Sequence, residues 1–193
     1  MVTAARDQRV RRIVYASSRE NIVLGDLYWK ASDGAGDAEK LASSPGRGLF
    51  PLSWSKDGKA LALLESIYPL PEDIGMLSME GARLRKPLLQ EKYSESNPRI
   101  SPDGKWMAYV SDESGKSEVY VRQFPEVNKG KVQVSTSGGY SPLWSPDARD
   151  LYYRSGDAVM MVPVESGPAF KPGKAAVLFQ DTLALATILI LSL

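Results

Sequence analysis

Apolar residues in this chain come in short runs that alternate or fill both faces of a strand, and turn residues close each run before a helical period can develop. Residues 99–111 show the pattern: R-I-S-P-D-G-K-W-M-A-Y-V-S. Ser101-Pro102-Asp103-Gly104 has the chemistry of a tight turn. Proline presets one backbone angle, aspartate can bond its own backbone, and glycine tolerates positive φ. In the strand that follows, Trp106, Ala108 and Val110 fall on one face and Met107 and Tyr109 on the other. Both faces are apolar, which predicts a strand covered on both sides.

The phrase occurs three times. Residues 52–64 read L-S-W-S-K-D-G-K-A-L-A-L-L, and residues 143–155 read L-W-S-P-D-A-R-D-L-Y-Y-R-S. The turn aspartates Asp57, Asp103 and Asp147 therefore recur at about 45 residues, the period of a β-propeller blade built from short strands. The pattern predicts an all-β propeller fragment: one partial domain of about four four-stranded antiparallel blades, near residues 10–43, 50–90, 97–136 and 140–179. In the first blade only the second, third and outer strands are expected (12–17, 25–31 and 38–43), with no innermost strand ahead of Asp7. In the fourth, Ala148 stands where Gly58 and Gly104 stand before it, so a different or mildly strained turn is expected. No helix is predicted.

The motifs W-S-K-D-G-K, I-S-P-D-G-K-W-M-A-Y-V-S and W-S-P-D-A-R resemble the WD-like repeats of TolB-type propellers, which also occur in prolyl-oligopeptidase-type peptidases. The stretch S-D-E-S-G-K-S-E-V-Y-V-R-Q-F-P, with Y-R-S-G-D after it, is similar to propellers appended to bacterial serine/threonine kinases. The resemblance covers about residues 10–180. It implies a bacterial repeat protein that works as a scaffold or protein-binding module in a periplasmic or extracytoplasmic setting. It also implies a parent ring of six or more blades, of which this chain would be an open arc.

Composition removes several chemistries. The chain has no histidine and no cysteine, so Ser-His-Asp and Cys-His catalysis, disulfides and the usual zinc sites are all unavailable to it. There is no G-x-S-x-G elbow, no G-x-G-x-x-G loop and no D-F-G. A net charge of +1 argues against nucleic acid as a partner. The chain is therefore expected to carry no catalysis, no cofactor and no metal. M-V-T-A-A-R-D-Q-R-V-R-R lacks the apolar stretch of a signal peptide, and its arginines Arg6, Arg9, Arg11 and Arg12 read as a solvated edge that guards against strand pairing.

Asp57, Gly58, Asp103, Gly104 and Asp147 are expected to be structural turn residues, and Trp54 and Trp144 core residues. The acidic groups Ser111-Asp112-Glu113-Ser114 and Glu72-Asp73 lack calcium-loop spacing and read as solvated turns. Candidate contacts for a protein, peptide or small ligand are the residues just ahead of an innermost strand: Tyr93, Ser94, Glu95, Ser96, Asn97, Tyr140 and Ser141. Residues 182–193, T-L-A-L-A-T-I-L-I-L-S-L, are too few for a membrane helix, which needs roughly 20. Two placements are open for this tail: pairing with residues 12–17 in a closed four-bladed ring, or starting a fifth blade in an open arc. The open arc would bare an apolar edge and favour self-association.

Overall fold

The computed structural model describes residues 4–7, 12–18, 25–67 and 69–180, and the chain divides into two compact units, Met1–Pro98 and Arg99–Leu193. The described residues form four antiparallel sheets.

The first unit holds two of them. One runs β1 (Ala4–Asp7), β2 (Arg12–Ser17), β3 (Asp26–Ala31), β4 (Glu39–Ala42), and the other β5 (Gly48–Trp54), β6 (Ala60–Ser66), β7 (Asp73–Ser78), β8 (Arg85–Leu89). Strand alternation sends Val14, Leu27 and Trp29 from the first sheet and Leu49, Leu61, Leu63 and Leu77 from the second into one core. A main-chain bond from Leu49 N to Gly25 O, 2.9 Å, ties the sheets together. Trp29 closes the edge of this core. Arg12 and Arg83 lie over its ring at 3.6 and 4.2 Å, and its indole N–H donates to Glu39 at 2.7 Å.

The unit also buries charge. Glu65 is 1% exposed and accepts from Arg85 Nη1 through both carboxylate oxygens, at 2.7 and 2.6 Å. Arg47 Nη1 lies 3.5 Å from the same carboxylate and 2.6 Å from Asp73. Gly75 makes the room, because a Cβ there would fall 1.9 Å from Glu65 Oε1.

The chain passes to the second unit along β9 (Glu95–Ile100), which forms a sheet in the order β12-β11-β10-β9 with β10 (Trp106–Ser111), β11 (Glu118–Gln123) and β12 (Lys131–Gln133). Every residue of β10 is buried, as its two apolar faces predict. The last sheet contains β13 (Tyr140–Trp144), β14 (Asp150–Ser155) and the long β15 (Ala158–Ser166). The far end of β15 pairs β16 (Phe170–Pro172), and its near end pairs β17 (Ala176–Gln180). Phe170 of β16 packs between two tryptophans, with ring centroids 5.4 Å from Trp106 and 6.1 Å from Trp144. Trp144 donates its indole N–H to Arg99 O at 2.9 Å. Buried residues of both sheets, among them Ala108, Val121, Leu151 and Val162, complete this core.

Three features depart from the sequence reading. The first sheet has an innermost strand: β1 pairs β2 from Ala4↔Tyr15 to Asp7↔Arg12. A-A-R-D carries neither apolar alternation nor a Ser-x-Asp turn, so the backbone ladder alone makes it a strand. With β3 on its other side, both edges of β2 are taken. The second departure is β16, an arm of three residues that the repeat pattern does not contain. The third is a single 3-10 turn at Val127–Lys129. Residues 182–193, Arg9 and Arg11 lie outside the described residues.

Trp106 is 7% exposed in the core of the second unit, so Trp106→Ala is expected to cost about 3–5 kcal/mol in denaturant titration. A loss below about 1 kcal/mol would contradict its place in the core.

Candidate functional site

The three repeat turns share one hydrogen-bond clip. In each, a serine Oγ donates to the aspartate two residues on: Ser55 to Asp57 at 2.6 Å, Ser101 to Asp103 at 2.5 Å and Ser145 to Asp147 at 2.7 Å. The same Oγ accepts the backbone N–H five residues on, from Ala60, Trp106 and Asp150. The aspartate Oδ1 accepts from the backbone N–H of Lys59, Lys105 and Arg149. Each clip ties the end of an innermost strand to the start of the next one.

The serine hydroxyls, and then the backbone amides, hold the Asp57 and Asp147 carboxyls below the ordinary carboxylate range. The part of hairpin stability that depends on these ionised groups is therefore present above the unfolded carboxylate value near pH 3.9. It is lost as pH falls through the lower folded values.

Left-handed backbone follows the aspartate each time, with φ of 71° at Gly58, 77° at Gly104 and 60° at Ala148. Ala148 N donates to Ser145 O at 3.0 Å, as the two glycines donate to Ser55 and Ser101. The turn at Ala148 is thus of the same type as the other two, with alanine held where glycine is preferred.

The candidate contacts fall at a different place. In the first unit, Ser94 Oγ accepts from Glu72 N at 3.3 Å and Glu95 N donates to Glu72 O at 2.8 Å, which joins this segment to the loop before β7. Glu95 is 1% exposed, and its carboxylate accepts from Glu91 N at 3.3 Å. A buried side chain is a poor contact residue, so Glu95 anchors the loop. Tyr93, Ser94, Ser96 and Asn97 are half-buried, and Lys92 Nζ lies 4.9 Å from the Tyr93 ring centroid. Burial raises the Glu72 carboxyl above its ordinary value.

In the second unit Tyr140 and Ser141 are both exposed. The Tyr140 hydroxyl donates to Gly156 O at 3.0 Å, and the ladder to β14 slips between Tyr140 and Leu143. Asn97 and Ser141 occupy equivalent slots, four residues ahead of Ser101 and Ser145. Both have φ of 52°, and each precedes a buried proline. Left-handed geometry at a non-glycine residue costs of order 1–2 kcal/mol. The second repeat has Pro51 in this slot, and its ladder slips between Pro51 and Ser53.

A further concavity, which the sequence did not signal, lies within the second unit. It has a volume of about 600 Å³, with Asp103, Asp147, Arg149, Glu165 and Lys171 around Ala148, Pro163, Val164 and Pro172. Asp103 and Asp147, expected only as turn residues, both line this cleft. β16, invisible in the repeat, supplies its far wall. Among the described residues, no group of three or more acidic side chains is placed to hold a metal ion.

No protein-family model matches the chain, and no curated protein matches it. Solved structures do. The putative TolB from Agrobacterium tumefaciens is similar over 88% of this chain and 61% of its own, with a TM-score of 0.69 and 18% identity. TolB from Acinetobacter baumannii is similar over 94% of this chain and 44% of its own, with a TM-score of 0.70 and 20% identity. A puromycin-hydrolyzing peptidase from Mycobacterium tuberculosis is similar over 89% of this chain and 30% of its own, with a TM-score of 0.63 and 16% identity. The fold is that of a TolB-type β-propeller. At these identities the likeness concerns fold alone, and the chain spans 61% and 44% of the two TolB chains.

Since the turn at Ala148 tolerates a Cβ in the left-handed region, Gly104→Ala should leave the fold unchanged and lower stability by about 1–2 kcal/mol. Circular dichroism with denaturant titration reads both. A lost fold or an unchanged midpoint would contradict the shared turn geometry.

Proposed function

We propose that the chain is a non-catalytic recognition module, holding a peptide or protein segment on the loops that lead into its innermost strands. In a propeller these loops lie beside the central opening. The observation that carries the reading is the start of β13: exposed Tyr140 next to a left-handed, exposed Ser141, in a strand whose ladder slips there. Strained backbone beside an exposed aromatic is a common arrangement at contact sites. Asn97 repeats the geometry in the first unit. An extracytoplasmic compartment accompanies this reading through the resemblance to TolB-type propellers.

A second reading makes the chain the gating propeller of a serine peptidase. The fold likeness to the mycobacterial peptidase and to prolyl endopeptidases favours it. A third, the regulatory region of a bacterial serine/threonine kinase, is supported by the motif resemblance of residues 111–125. The sequence of the parent gene on either side of this region separates the three.

Selection of a phage-displayed random peptide library on the purified chain tests recognition. Enriched peptides are expected to bind Tyr140→Ala about tenfold more weakly. Leu84→Ala, at a site 61% exposed on the surface, should bind them unchanged. Absence of enrichment, or binding indifferent to Tyr140→Ala, would overturn the reading.

Self-association is the other interaction we propose. All five residues of β17 are exposed, Val177, Leu178 and Phe179 among them, and among the described residues the strand pairs only with β15. A free apolar strand edge invites pairing. Sedimentation velocity should show concentration-dependent association that Leu178→Lys reduces; a monodisperse monomer at all concentrations would contradict it.

A further inference from the structure

The cleft of the second unit is separate from the inner-strand loops, and its chemistry points to a different ligand. We propose that it binds a short peptide in its free zwitterionic form, through both charged ends. Its volume of about 600 Å³ lies within the range of small-molecule sites. Ala148, Pro163, Val164 and Pro172 give it an apolar lining suited to aliphatic side chains.

The charges around that lining are unequally committed. Asp103 and Asp147 each use Oδ1 in their own turn clip. The remaining oxygen of Asp147 is 4.0 Å from Arg149 Nε, and that of Asp103 is 3.8 Å from Lys105 Nζ. Glu165 and Lys171, by contrast, stand directly opposite each other in the β15–β16 ladder. Both are exposed. Arg149, whose side chain is 83% exposed, adds a second cation. The cleft thus offers a carboxylate for an ammonium group and two cations for a carboxylate group, beside its apolar lining. A ligand with a single charge would meet one of these signs as repulsion.

The wall that carries Lys171 is held in place. Gly173 N donates to Pro163 O at 2.7 Å, and a Cβ at Gly173 would come within 3.2 Å of that oxygen. Phe170 anchors the same arm against Trp106 and Trp144. The backbone of the site is therefore built on packed strands, and ordering on binding is confined to the charged side chains.

The test uses trialanine in three forms: the free zwitterion, the N-acetylated anion and the C-amidated cation. Each is titrated into the isotope-labelled full chain and followed by amide chemical shifts. The zwitterion should give saturable shifts at Arg149, Val164 and Lys171, and each capped form should bind about fivefold more weakly or worse. Lys171→Glu should abolish the zwitterion's shifts while the rest of the spectrum stays unchanged. Equal binding of the three forms, shifts confined to other residues, or no saturable shift up to about 10 mM would overturn the proposal. Phage-displayed peptides are fused at their C-termini and present no free zwitterion, so this result and that of the library selection are independent.

Discussion

The serine–aspartate clip is the interaction on which the rest of the structure depends, because it decides which backbone amide faces which. In each repeat the serine hydroxyl bridges the aspartate carboxylate and the amide five residues on. The first hairpin is thereby closed at a fixed length before any long-range contact is needed. A slip of one residue would turn every side chain of the second strand to the opposite face. In β10 both faces are buried, so a slip would exchange Trp106, Ala108 and Val110 for Met107 and Tyr109 in a core already filled around Phe170. Net hydrogen-bond contributions of about 1 kcal/mol each are modest. Their effect here is large because they select the register through which the apolar core is buried.

Two of the carboxylates that enter the interior are satisfied by nearby partners. Glu65 meets Arg85 and Arg47, with Gly75 leaving space for its carboxylate. Glu118, fully buried, accepts from the Ser135 hydroxyl and from Gly138 N at 2.9 Å, with Lys116 Nζ 3.4 Å away. Ser135 in turn accepts from Val119 N at 2.7 Å. Both carboxylates lie near the strand ends that face the connections between the middle strands. Glu65 links β6 to Arg85 of β8 across Gly75 of β7, and Glu118 links β11 to the segment after β12, each with a direction that apolar contacts lack.

The proposed peptide contacts lie on parts the clip does not constrain. The turns repeat almost unchanged, whereas the leads into the innermost strands differ: Pro51 in one repeat, left-handed Asn97 and Ser141 in the next two. The outer part of the last sheet differs again, since β15 runs on to pair with β16 and raises a wall beside two of the turns. A rigid repeated frame with variable edges suits recognition. The missing histidine and cysteine already excluded the common nucleophile–base pairs.

The sequence by itself determined the repeat, its period and its turns, because Ser-x-Asp-Gly chemistry and two-sided apolar strands act over a dozen residues. It showed equally well that Trp106 and Trp144 are core residues, and the absence of a helical period agrees with the described residues, which hold no long helix. It did not show β1, whose A-A-R-D has no propensity signal and becomes a strand only when β2 offers it a ladder. Nor did it show β16, whose three residues count as a strand through Phe170's place between two tryptophans distant in sequence. Backbone geometry at Asn97 and Ser141 was out of reach too: asparagine tolerates positive φ but serves in many other conformations, and serine carries no such signal. Local chemistry sets what a segment can be. The packing of strands far apart in the chain decided which side chains share the cleft beside the turns of Asp103 and Asp147.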